Sequence, residues 1–505
     1  VGMILFMTFG AYTAFEKSNK KIIPWYDYIL MILSVIIPVY IWTNYQSIID
    51  RVGDANPTDV ILGTILVFLV LEAARRITGW ALPIIGIIFI IYSLMGTRQG
   101  IIPINIPGIF FHRGFQWNKL IGHLFSNTEG IYGTSVNVSS TYIFLFIVFG
   151  EVMNKSGMGK FLNDISIGLA GHTKGGPAKV AVIASGLLGS INGSAVANVV
   201  TTGTFTIPLM KKVGYSKEFA GAVESTASVG GQLLPPIMGA TAFIMAETLG
   251  IQYREIVIAA AIPAIIYYLG IIFQIQLKAS KEDLGGMSKE DLPSLSETLK
   301  NYWHLTIPIL FLVYMLFFSG FTVIRGAFFT IILTIIVAQL RKKTRMSIKD
   351  IQDAFISSAK STVATAIACA CVGIVIGVSS LTGFTINMAS AIISLGSTSL
   401  LLTLLFTMIS CMILGMGLPS IPAYIITSTI AAPALVRLGV IPLAAHLFCF
   451  YFAMFANITP PVALASFAAA GISGANPMKT GIVSVKLALA GFIVPYMFIY
   501  NNQLL

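Results

Sequence analysis

Charged residues are scarce in this sequence. Asp, Glu, Lys and Arg together make up 10% of the 505 residues, whereas apolar residues make up 56%. A soluble protein of this length has too little interior to bury that much apolar surface. The composition therefore excludes a soluble globular protein and predicts an all-α, polytopic membrane protein.

Cysteine is nearly absent, and the few cysteines lie inside apolar segments rather than in loops. The four are Cys369, Cys371, Cys411 and Cys449. They form no paired framework, which excludes a fold held together by disulfides. We interpret them as small buried hydrophobic residues.

The motifs of metal and nucleotide chemistry are also missing. The histidines are scattered and have no HExxH or CxxC partner; they are His112, His123, His172, His304 and His446. No glycine-rich loop with a lysine joins a strand to a helix, so ATP-driven transport has no support. No base lies beside a serine of the motifs described below, and an intramembrane hydrolase is kept only as an alternative.

Four apolar runs at the start of the chain predict a compact four-helix membrane unit over residues 1–99. They lie at about 3–15, 28–46, 59–78 and 80–96, near the roughly 20 residues that cross a bilayer. The first run is short, so we expect further chain before Val1. Residues 100–130 follow as a linker, whose aromatic residues and His112, Arg113, Lys119 and His123 favour a helix in the membrane interface.

The remaining chain, residues 131–505, predicts one order of elements twice, at about 137–277 and 361–500. The first half has a span at 137–153, an arm at 161–171, a hairpin of two arms at 177–189 and 196–210, a broken span at 218–249 and a plain span at 255–277. A polar stretch at 278–300, expected to be a solvated loop, and spans at 302–319 and 322–340 separate the halves. The second half has a span at 361–380, an arm at 384–396, a hairpin with its tip at 415–420, a broken span at 441–472 and a final span at 477–500.

Each half carries two polar interruptions in apolar helices. The first half has GSINGSAVAN from Gly189 and VGGQLLPPIMG around Pro235, and the second has GMGLPSIPAY from Gly415 and ANITPPV around Pro460. The two motifs are 46 residues apart in the first half (189 to 235) and 45 in the second (415 to 460). Non-helical backbone at membrane depth is tolerated only where protein or a water-lined cavity satisfies it. Matched interruptions in two halves indicate the binding site of a secondary transporter.

Lysine and arginine are unevenly distributed over the predicted loops. With Lys17, Lys20 and Lys21 inside and the sides alternating, 24 of the 31 basic residues fall on the cytoplasmic face. The seven on the other face are Arg51, Arg98, Arg113, Lys119, Arg254, Arg325 and Arg437. This bias accounts for the net charge of +11 without a nucleic-acid partner. The same alternation makes the two hairpins re-entrant from opposite sides, which predicts an inverted repeat.

The interruptions combine free helix ends with uncharged polar side chains. Free carbonyls can bind a cation, and free N–H groups at the positive end of the helix dipole can bind an anion. Oxygen ligands without charge suit Na⁺. The candidates are Ser190, Asn192, Ser194, Asn198, Ser228, Gly230, Gly231 and Gln232 in the first half, and Gly415, Gly417, Ser420, Asn457 and Thr459 in the second. The alternative is that these small residues serve only close helix packing.

Two acidic residues in the predicted spans require separate explanations. Glu224 lies inside the first broken span, and the equivalent position of the second half is Cys449. An ionisable group at this depth is a functional hypothesis, so Glu224 either carries a proton or stabilises the first hairpin through hydrogen bonds. Glu72 has Arg75 and Arg76 at helical spacing, which predicts a surface ion pair.

Long segments of the sequence resemble the large membrane subunit of tripartite ATP-independent periplasmic (TRAP) transporters. They are residues 189–247, which contain GSINGSAVAN and VGGQLLPPIMG, and GMGLPSIPAY with residues 432–481, which contain FANITPPVALASFAAAGISG. The segments are most similar to fused permeases that work with TAXI-type binding proteins, in which a small four-helix subunit precedes the large one. The four N-terminal spans fit that small subunit in position and number.

The resemblance implies a permease of a bacterial or archaeal inner membrane that receives a carboxylate from a periplasmic TAXI-type binding protein. It implies no enzyme activity and no cofactor, uptake coupled to Na⁺ or H⁺, and an elevator motion of the hairpins and broken spans. The implied ion sites are Gly189, Ser190, Asn192, Ser228, Gly230 and Gln232, and Gly415, Gly417, Ser420, Asn457 and Thr459. The implied substrate contacts are Asn192, Ser194, Asn198, Gln232, Pro235, Pro419, Thr459 and Pro460.

Two alternatives remain at this point. One is an autonomous Na⁺/dicarboxylate symporter of the same architecture, which needs no binding protein. The other is an intramembrane enzyme. The sequence leaves the substrate open, and Glu224 leaves the choice between Na⁺ and H⁺ open.

Overall fold

The structure is a computed structural model that describes residues 1–14, 23–104, 108–239, 241–288, 292–395 and 399–505. Within these ranges the secondary structure is helical, and the β pairing is limited to one isolated bridge between Met95 and Ile102. The predicted all-α class is confirmed. Lys17, Lys20 and Lys21 lie outside the described residues, and the sidedness of the chain stays a prediction.

The helices follow the predicted apolar runs along the chain. The first are α1 Gly2–Ala11, α2 Trp25–Thr43, α3 Tyr45–Asp50, α4 Pro57–Thr78, α5 Ala81–Leu94, α6 Trp117–Ser126 and α7 Thr134–Val138. They are followed by α8 Phe144–Lys155, α9 Met158–Ala170, α10 Gly176–Asn192, α11 Ala195–Lys212, α12 Lys217–Gly231, α13 Thr241–Leu249, α14 Tyr253–Lys281, α15 Leu295–Tyr302, α16 Thr306–Phe317 and α17 Val323–Ala338. The last are α18 Ile348–Thr382, α19 Phe384–Leu395, α20 Leu400–Gly415, α21 Ser420–Arg437, α22 Pro442–Phe455, α23 Leu464–Ser473, α24 Pro477–Leu487 and α25 Leu489–Tyr500.

Four helices of the described residues are long and apolar enough to cross a bilayer. They are Trp25–Thr43, Thr134–Lys155, Tyr253–Lys281 and Ile348–Thr382, where a π-helical turn at Ser139–Ile143 joins α7 to α8. Other apolar helices are shorter, among them α16 with 12 residues and α17 with 16, where longer spans were expected.

The final span expected at 477–500 is present as two helices with a bend between them. The axes of α24 and α25 differ by 41°. Gln274 of α14 donates from Nε2 to the backbone oxygen of Leu487 at 2.9 Å. A side chain that takes a carbonyl out of the helical hydrogen-bond ladder is a common cause of a kink.

The polar stretch at 278–300 is also not a loop throughout. α14 continues to Lys281, and α15 begins at Leu295, where the hydroxyl of Ser294 accepts a hydrogen bond from the first turn at 3.3 Å. Tyr302 is buried, and its ring centre lies 6.1 Å from that of Phe161 of α9. The charged residues concealed a helix whose buried face carries residues 295, 298 and 302, at helical spacing.

The chain forms two compact units. One contains Val1–Thr141, Lys360–Ser410 and Ile421–Gly439, and the other contains Tyr142–Ala359, Cys411–Ser420 and Val440–Leu505. The second unit contains the two interruptions of the first half, residues 415–420 of GMGLPSIPAY and the ANITPPV motif. The domain boundaries expected at residues 99 and 130 stay a prediction.

A buried ion-pair network holds the first helices of the first unit together. Arg76 and Asp27 are each 1% exposed and pair at 2.7 Å, and Arg76 also pairs with Glu72 at 2.8 Å. Arg75 pairs with the same carboxylate at 2.7 Å, and Arg76 donates to the backbone oxygen of Tyr12 at 3.0 Å. The predicted pairing of Glu72 with Arg75 and Arg76 is confirmed, but its location on the surface is wrong for Arg76, which is 1% exposed. Helical spacing places Glu72 beside both arginines, but the partners on α1 and α2 make the network an interior one.

Only part of the expected interfacial linker is helical. α6 packs on α4, because Trp117 donates from its indole N–H to Thr64 at 3.0 Å, and Ile121 and Phe125 contact Gly63. Ile121 and Phe125 are buried. That this linker lies in the membrane interface stays a prediction.

Candidate functional site

The first interruption is a tight turn between α10 and α11. α10 ends at Asn192, and Gly193 follows with φ +66°, a left-handed conformation that favours glycine. Ser194 then caps α11, because its hydroxyl accepts the backbone N–H three residues on at 3.4 Å. The chain reverses over this link, so that the hydroxyls of Ser185 and Thr202 lie 2.9 Å apart. The two predicted helical arms are confirmed, and their re-entry into a membrane stays a prediction.

The second interruption follows the end of α12. A Cβ atom on Gly231 would lie 2.7 Å from the Cα of Gly189, so α12 meets the end of α10 backbone to backbone. Beyond this contact residues 232–239 are non-helical. Tyr253 holds this segment, because its hydroxyl lies 3.0 Å from the backbone oxygen of Pro236 and 2.5 Å from that of Ile237.

The second half has matching non-helical segments. Four residues, 416–419, separate α20 from α21, and Gly417 among them has φ +73°. Residues 456–463 separate α22 from α23, and the N–H of Ala465 donates to the backbone oxygen of Asn457 at 2.9 Å across this gap. The predicted interruptions are therefore present in both halves. The packing of α20 on α21 stays a prediction.

Gln232 connects three of the four interruptions. Its Nε2 donates to the backbone oxygen of Gly193 at 2.7 Å and to Ser420 Oγ at 2.7 Å. Ser420 Oγ donates back to Gln232 Oε1 at 3.1 Å. A Cβ atom on Gly239 would lie 2.9 Å from the same oxygen of Gly193. The first tip, the first break and the start of α21 thus form one polar cluster. The resemblance implied an ion site in which Ser420 lies with Asn457 and Thr459 rather than with Gln232.

Asn198 forms a second amide centre behind the first tip. Its Nδ2 donates to the backbone oxygen of Ser185 at 2.8 Å and to Ser228 Oγ at 3.0 Å. Its Oδ1 accepts from Asn192 Nδ2 at 3.3 Å. Asn198 and Ser228 are completely buried. These bonds bring together three predicted site residues, Asn192 and Asn198 of the hairpin and Ser228 of α12.

Glu224 is enclosed by hydroxyl groups. The buried carboxylate accepts from Ser185 Oγ at 2.6 Å and Ser228 Oγ at 3.3 Å, and from the hydroxyls of Thr202 and Thr206. No lysine or arginine of the described residues forms an ion pair with it. Four hydroxyl groups within hydrogen-bond distance satisfy the buried carboxyl group without a charged partner. The carboxylate links α10 and α11 to α12, in agreement with the predicted stabilisation of the first hairpin.

The hydroxyl partners of Glu224 were missed from the sequence. Thr202 and Thr206 lie four residues apart in the run TTGTFT, a spacing that places them on one face of a helix. This periodicity was the available signal. Ser185 of α10 lies beside Glu224 only because the chain reverses at Gly193, and no pattern in the sequence around Ser185 predicts this contact.

Two predicted ligands donate their hydroxyl groups to backbone oxygens of the preceding helical turn. Ser190 donates to the backbone oxygen of Leu187 at 2.8 Å, and Thr459 donates to that of Phe455 at 2.8 Å. Each hydroxyl oxygen keeps lone pairs that can bind a cation. Asn457 is only 3% exposed, and its Nδ2 has no hydrogen-bond partner among the described residues. Buried polar groups are nearly always paired, so this atom is unusual, and ion binding at Asn457 stays a prediction.

For some predicted residues the structure shows close packing. A Cβ atom on Gly230 would lie 2.4 Å from the ring of Tyr267, and one on Gly481 would lie 2.8 Å from Pro460 Cγ. Gly189 meets Gly231, as described above. Pro235 and Pro460 are partly exposed, and Pro419 is exposed. These contacts show a packing role and leave ion or substrate binding at the same residues a prediction.

A serine cluster also links the two broken helices, and the sequence did not indicate it. The hydroxyls of Ser225, Ser466 and Ser484 lie 2.9 to 3.3 Å from one another. All three are fully buried and belong to α12, α23 and α24. The second broken helix is therefore fixed against the first through polar contacts.

Helix C-termini and helix N-termini both lie at the interruptions. α10, α12, α20 and α22 end there, and α11, α13, α21 and α23 begin there. C-terminal ends present carbonyl groups and partial negative charge, whereas N-terminal ends present N–H groups and partial positive charge. Such an arrangement can bind a cation and an anion side by side.

Sequence comparison agrees with this geometry. Residues 65–504 match the model of the family described as tripartite ATP-independent periplasmic transporter, DctM component. The chain belongs to this family. Together with the apolar helices, the match makes it a multi-pass membrane permease of the TRAP transporters and not an enzyme.

Individual relatives are similar to this chain at a moderate level. A Haemophilus influenzae protein that carries the name of a TRAP transporter large permease is 25% identical over 333 residues, 63% of this chain and 74% of that protein. The C4-dicarboxylate TRAP transporter large permease protein DctM of Pseudomonas aeruginosa is 26% identical over 183 residues, 36% of this chain and 42% of that protein. The solved structure of Neisseria gonorrhoeae MtrF, from a class of antimetabolite efflux pumps, has a TM-score of 0.51 at 13% identity and covers 90% of this chain and 97% of MtrF. That likeness concerns the fold alone.

Proposed function

We propose that this chain is the permease of a secondary transporter that receives a carboxylate from a soluble binding protein and imports it with Na⁺. The observation that carries the proposal is the meeting of Gly193, Gln232 and Ser420 in one cluster. In secondary transporters, interrupted helices of two repeats build the binding site. Relatives named for C4-dicarboxylates support a carboxylate as the substrate class.

The anionic substrate binds near the starts of α11 and α21. Ser194 and Ser420 lie at these helix starts, where N–H groups and the helix dipole favour negative charge. The amide of Gln232 links these two helix starts, because it donates to the backbone oxygen of Gly193 and to Ser420 Oγ. A carboxylate held by dipoles and amides, without a lysine or arginine, can be released again on the other side.

Na⁺ binds at the opposite helix ends. The carbonyl groups at the ends of α10 and α22 supply oxygen ligands, together with the hydroxyl oxygen of Ser190 and the amide of Asn457. The oxygen and nitrogen of an asparagine side chain are assigned from their hydrogen bonds, so the unpaired end of Asn457 can equally present its oxygen. Glu224 remains the place for a proton if H⁺ replaces Na⁺.

The elevator motion and the partner type belong to the same proposal. The hairpins and broken helices would move together, and the polar contacts among them support a rigid body. A fused TAXI-type permease is supported by the sequence resemblance of residues 189–247 and 432–481.

Uptake by purified protein in liposomes tests the proposal. Radiolabelled C4-dicarboxylate is offered with and without the purified binding protein, under an inward Na⁺ gradient or an inward H⁺ gradient. We expect uptake only with both the binding protein and the Na⁺ gradient. Full uptake without the binding protein would identify an autonomous symporter, and uptake driven by the H⁺ gradient alone would contradict Na⁺ coupling.

A further inference from the structure

A cavity lies away from the Gln232 cluster, where α13 ends and α14 begins. It has a volume of about 630 Å³ and is closed on its other side by the connection between α16 and α17. Cavities of about 300–1,000 Å³ are typical of small-molecule sites. Phe243 and Tyr253 form its buried floor, with ring centres 4.3 Å apart.

The cavity wall carries one charge of each sign. Glu247 and Arg254 both line it and are exposed, and neither forms an ion pair with any described residue. Glu247 belongs to the last turn of α13, where backbone carbonyls add negative character. Arg254 stands in the first turn of α14, and Thr322, which also lines the cavity, caps α17. Two helix N-termini therefore add positive character to the cavity wall.

The rim of the cavity is aromatic. Phe321 lines it and is 52% exposed, and the neighbouring Phe318 is 76% exposed. α14, whose first turn forms one wall, is among the helices long and apolar enough to cross a bilayer. Exposed aromatic residues at the end of a span are typical of the level of the lipid headgroups.

We propose that this cavity binds a zwitterionic glycerophospholipid with a primary ammonium group. The phosphate lies against Arg254, the Thr322 hydroxyl and the two helix N-termini, and the ammonium lies against Glu247. The acyl chains leave the cavity past Phe321. The presence of a carboxylate and a guanidinium in one cavity favours this ligand over an anionic lipid, which has no group for Glu247. The aromatic rim favours a lipid over a soluble partner.

The lipid would act on the transport site through Tyr253. This residue forms the cavity floor and donates its hydroxyl to the backbone at Pro236 and Ile237, within the first break. An occupied cavity holds the start of α14 in place and so holds the break. This consequence rests on the proposed function, whereas lipid binding itself does not.

Native mass spectrometry of the purified full chain tests the binding. The protein in detergent is titrated with synthetic phosphatidylethanolamine or phosphatidylglycerol of identical acyl chains. We expect the wild type to bind phosphatidylethanolamine about fivefold more tightly than phosphatidylglycerol, since one exposed ion pair changes a binding constant by about this factor. Glu247→Gln is expected to abolish the preference, and Arg254→Gln to weaken both lipids. Glu255→Gln and Arg325→Gln, neighbours outside the cavity wall, are the matched controls.

An exchange of the two charges guards against a variant that fails to fold. Glu247→Arg combined with Arg254→Glu is expected to regain the preference for phosphatidylethanolamine that Glu247→Gln lacks. Equal binding of both lipids by the wild type, or an unchanged preference in Glu247→Gln, would overturn the proposal. Lost binding-protein-dependent uptake in Arg254→Gln with unchanged lipid binding would assign the cavity to a soluble partner and would also overturn it.

Discussion

The side chains of Gln232 and Ser420 exchange hydrogen bonds across 188 residues of sequence. Gln232 Nε2 donates to Ser420 Oγ at 2.7 Å, and Ser420 Oγ donates to Gln232 Oε1 at 3.1 Å. One residue ends the first half of a broken helix, and the other begins the helix that follows the second tip. The pair therefore joins the polar interruptions of the two halves.

Replacing Gln232 tests whether this link serves transport. Gln232→Leu keeps the volume but removes the donors to Ser420 Oγ and to the backbone oxygen of Gly193. We expect uptake to fall at least about tenfold, because loss of buried hydrogen bonds leaves acceptors unpaired. The initial rate of liposome uptake measures it, with Gln99→Leu as the exposed control. Unchanged uptake in Gln232→Leu would exclude the cluster from the site.

Close backbone contact between α10 and α12 makes a stability prediction. Gly231→Ala places a Cβ atom 2.7 Å from the Cα of Gly189, and backbone cannot move aside as a flexible side chain can. We expect a loss of about 1–3 kcal/mol, as for other overpacked interiors. Thermal unfolding in detergent measures it. Gly471→Ala on α23 has no atom within 4 Å of its Cβ and should match the wild type; equal melting of the two variants would refute the contact.

Glu224→Gln separates a structural carboxylate from a proton carrier. The change replaces an acceptor by an NH₂ donor that faces the donors Ser185, Thr202 and Thr206. We expect a lower melting temperature, by an amount that corresponds to about 1–3 kcal/mol, and an unchanged pH dependence of the uptake that remains. Glu218→Gln, at the start of the same helix, is the control. A lost pH dependence at full stability would instead make Glu224 the proton carrier.

The unpaired amide of Asn457 predicts an ion-dependent effect. Asn457→Ala removes a buried polar group that has no hydrogen-bond partner among the described residues at Nδ2, so the fold loses little. If Na⁺ binds there, the Na⁺ concentration for half-maximal uptake should rise about fivefold or more, as for loss of one polar ligand contact. Titration of uptake with Na⁺ measures it, and Asn163→Ala on α9 serves as the control. A lower maximal rate at an unchanged Na⁺ requirement would place Asn457 outside the ion site.

The buried pair of Arg76 and Asp27 predicts instability when one partner is removed. Arg76→Gln leaves the carboxylate of Asp27 without its ion-pair partner, and such a change typically costs about 3–5 kcal/mol. Thermal unfolding in detergent measures it, with the exposed Arg98→Gln as the control. Adding Asp27→Asn to Arg76→Gln should recover part of the loss. A double variant no more stable than Arg76→Gln alone would show that the charges are not coupled.

The positions of the helices and their interruptions were predictable because they depend on local chemistry. Gly193, Gly417 and the paired prolines end helices through constraints on their own backbone. The arms at 177–189 and 196–210 correspond to apolar runs of about the observed length. The helix at Leu295–Tyr302 and the kink at Leu487 were missed. Each depends on a partner elsewhere in the chain, α9 for the first and Gln274 for the second.

The sequence alone determined that this is a helical membrane protein with matched interruptions in two halves, because apolar content and helix-breaking residues act locally. Only the tertiary structure decided which polar atoms meet at those interruptions. Gln232 contacts Ser420 as well as Gly193, Glu224 faces three hydroxyls of the first hairpin, and Arg76 is an interior residue. These contacts depend on how distant helices rotate and cross, and no spacing within one segment records that.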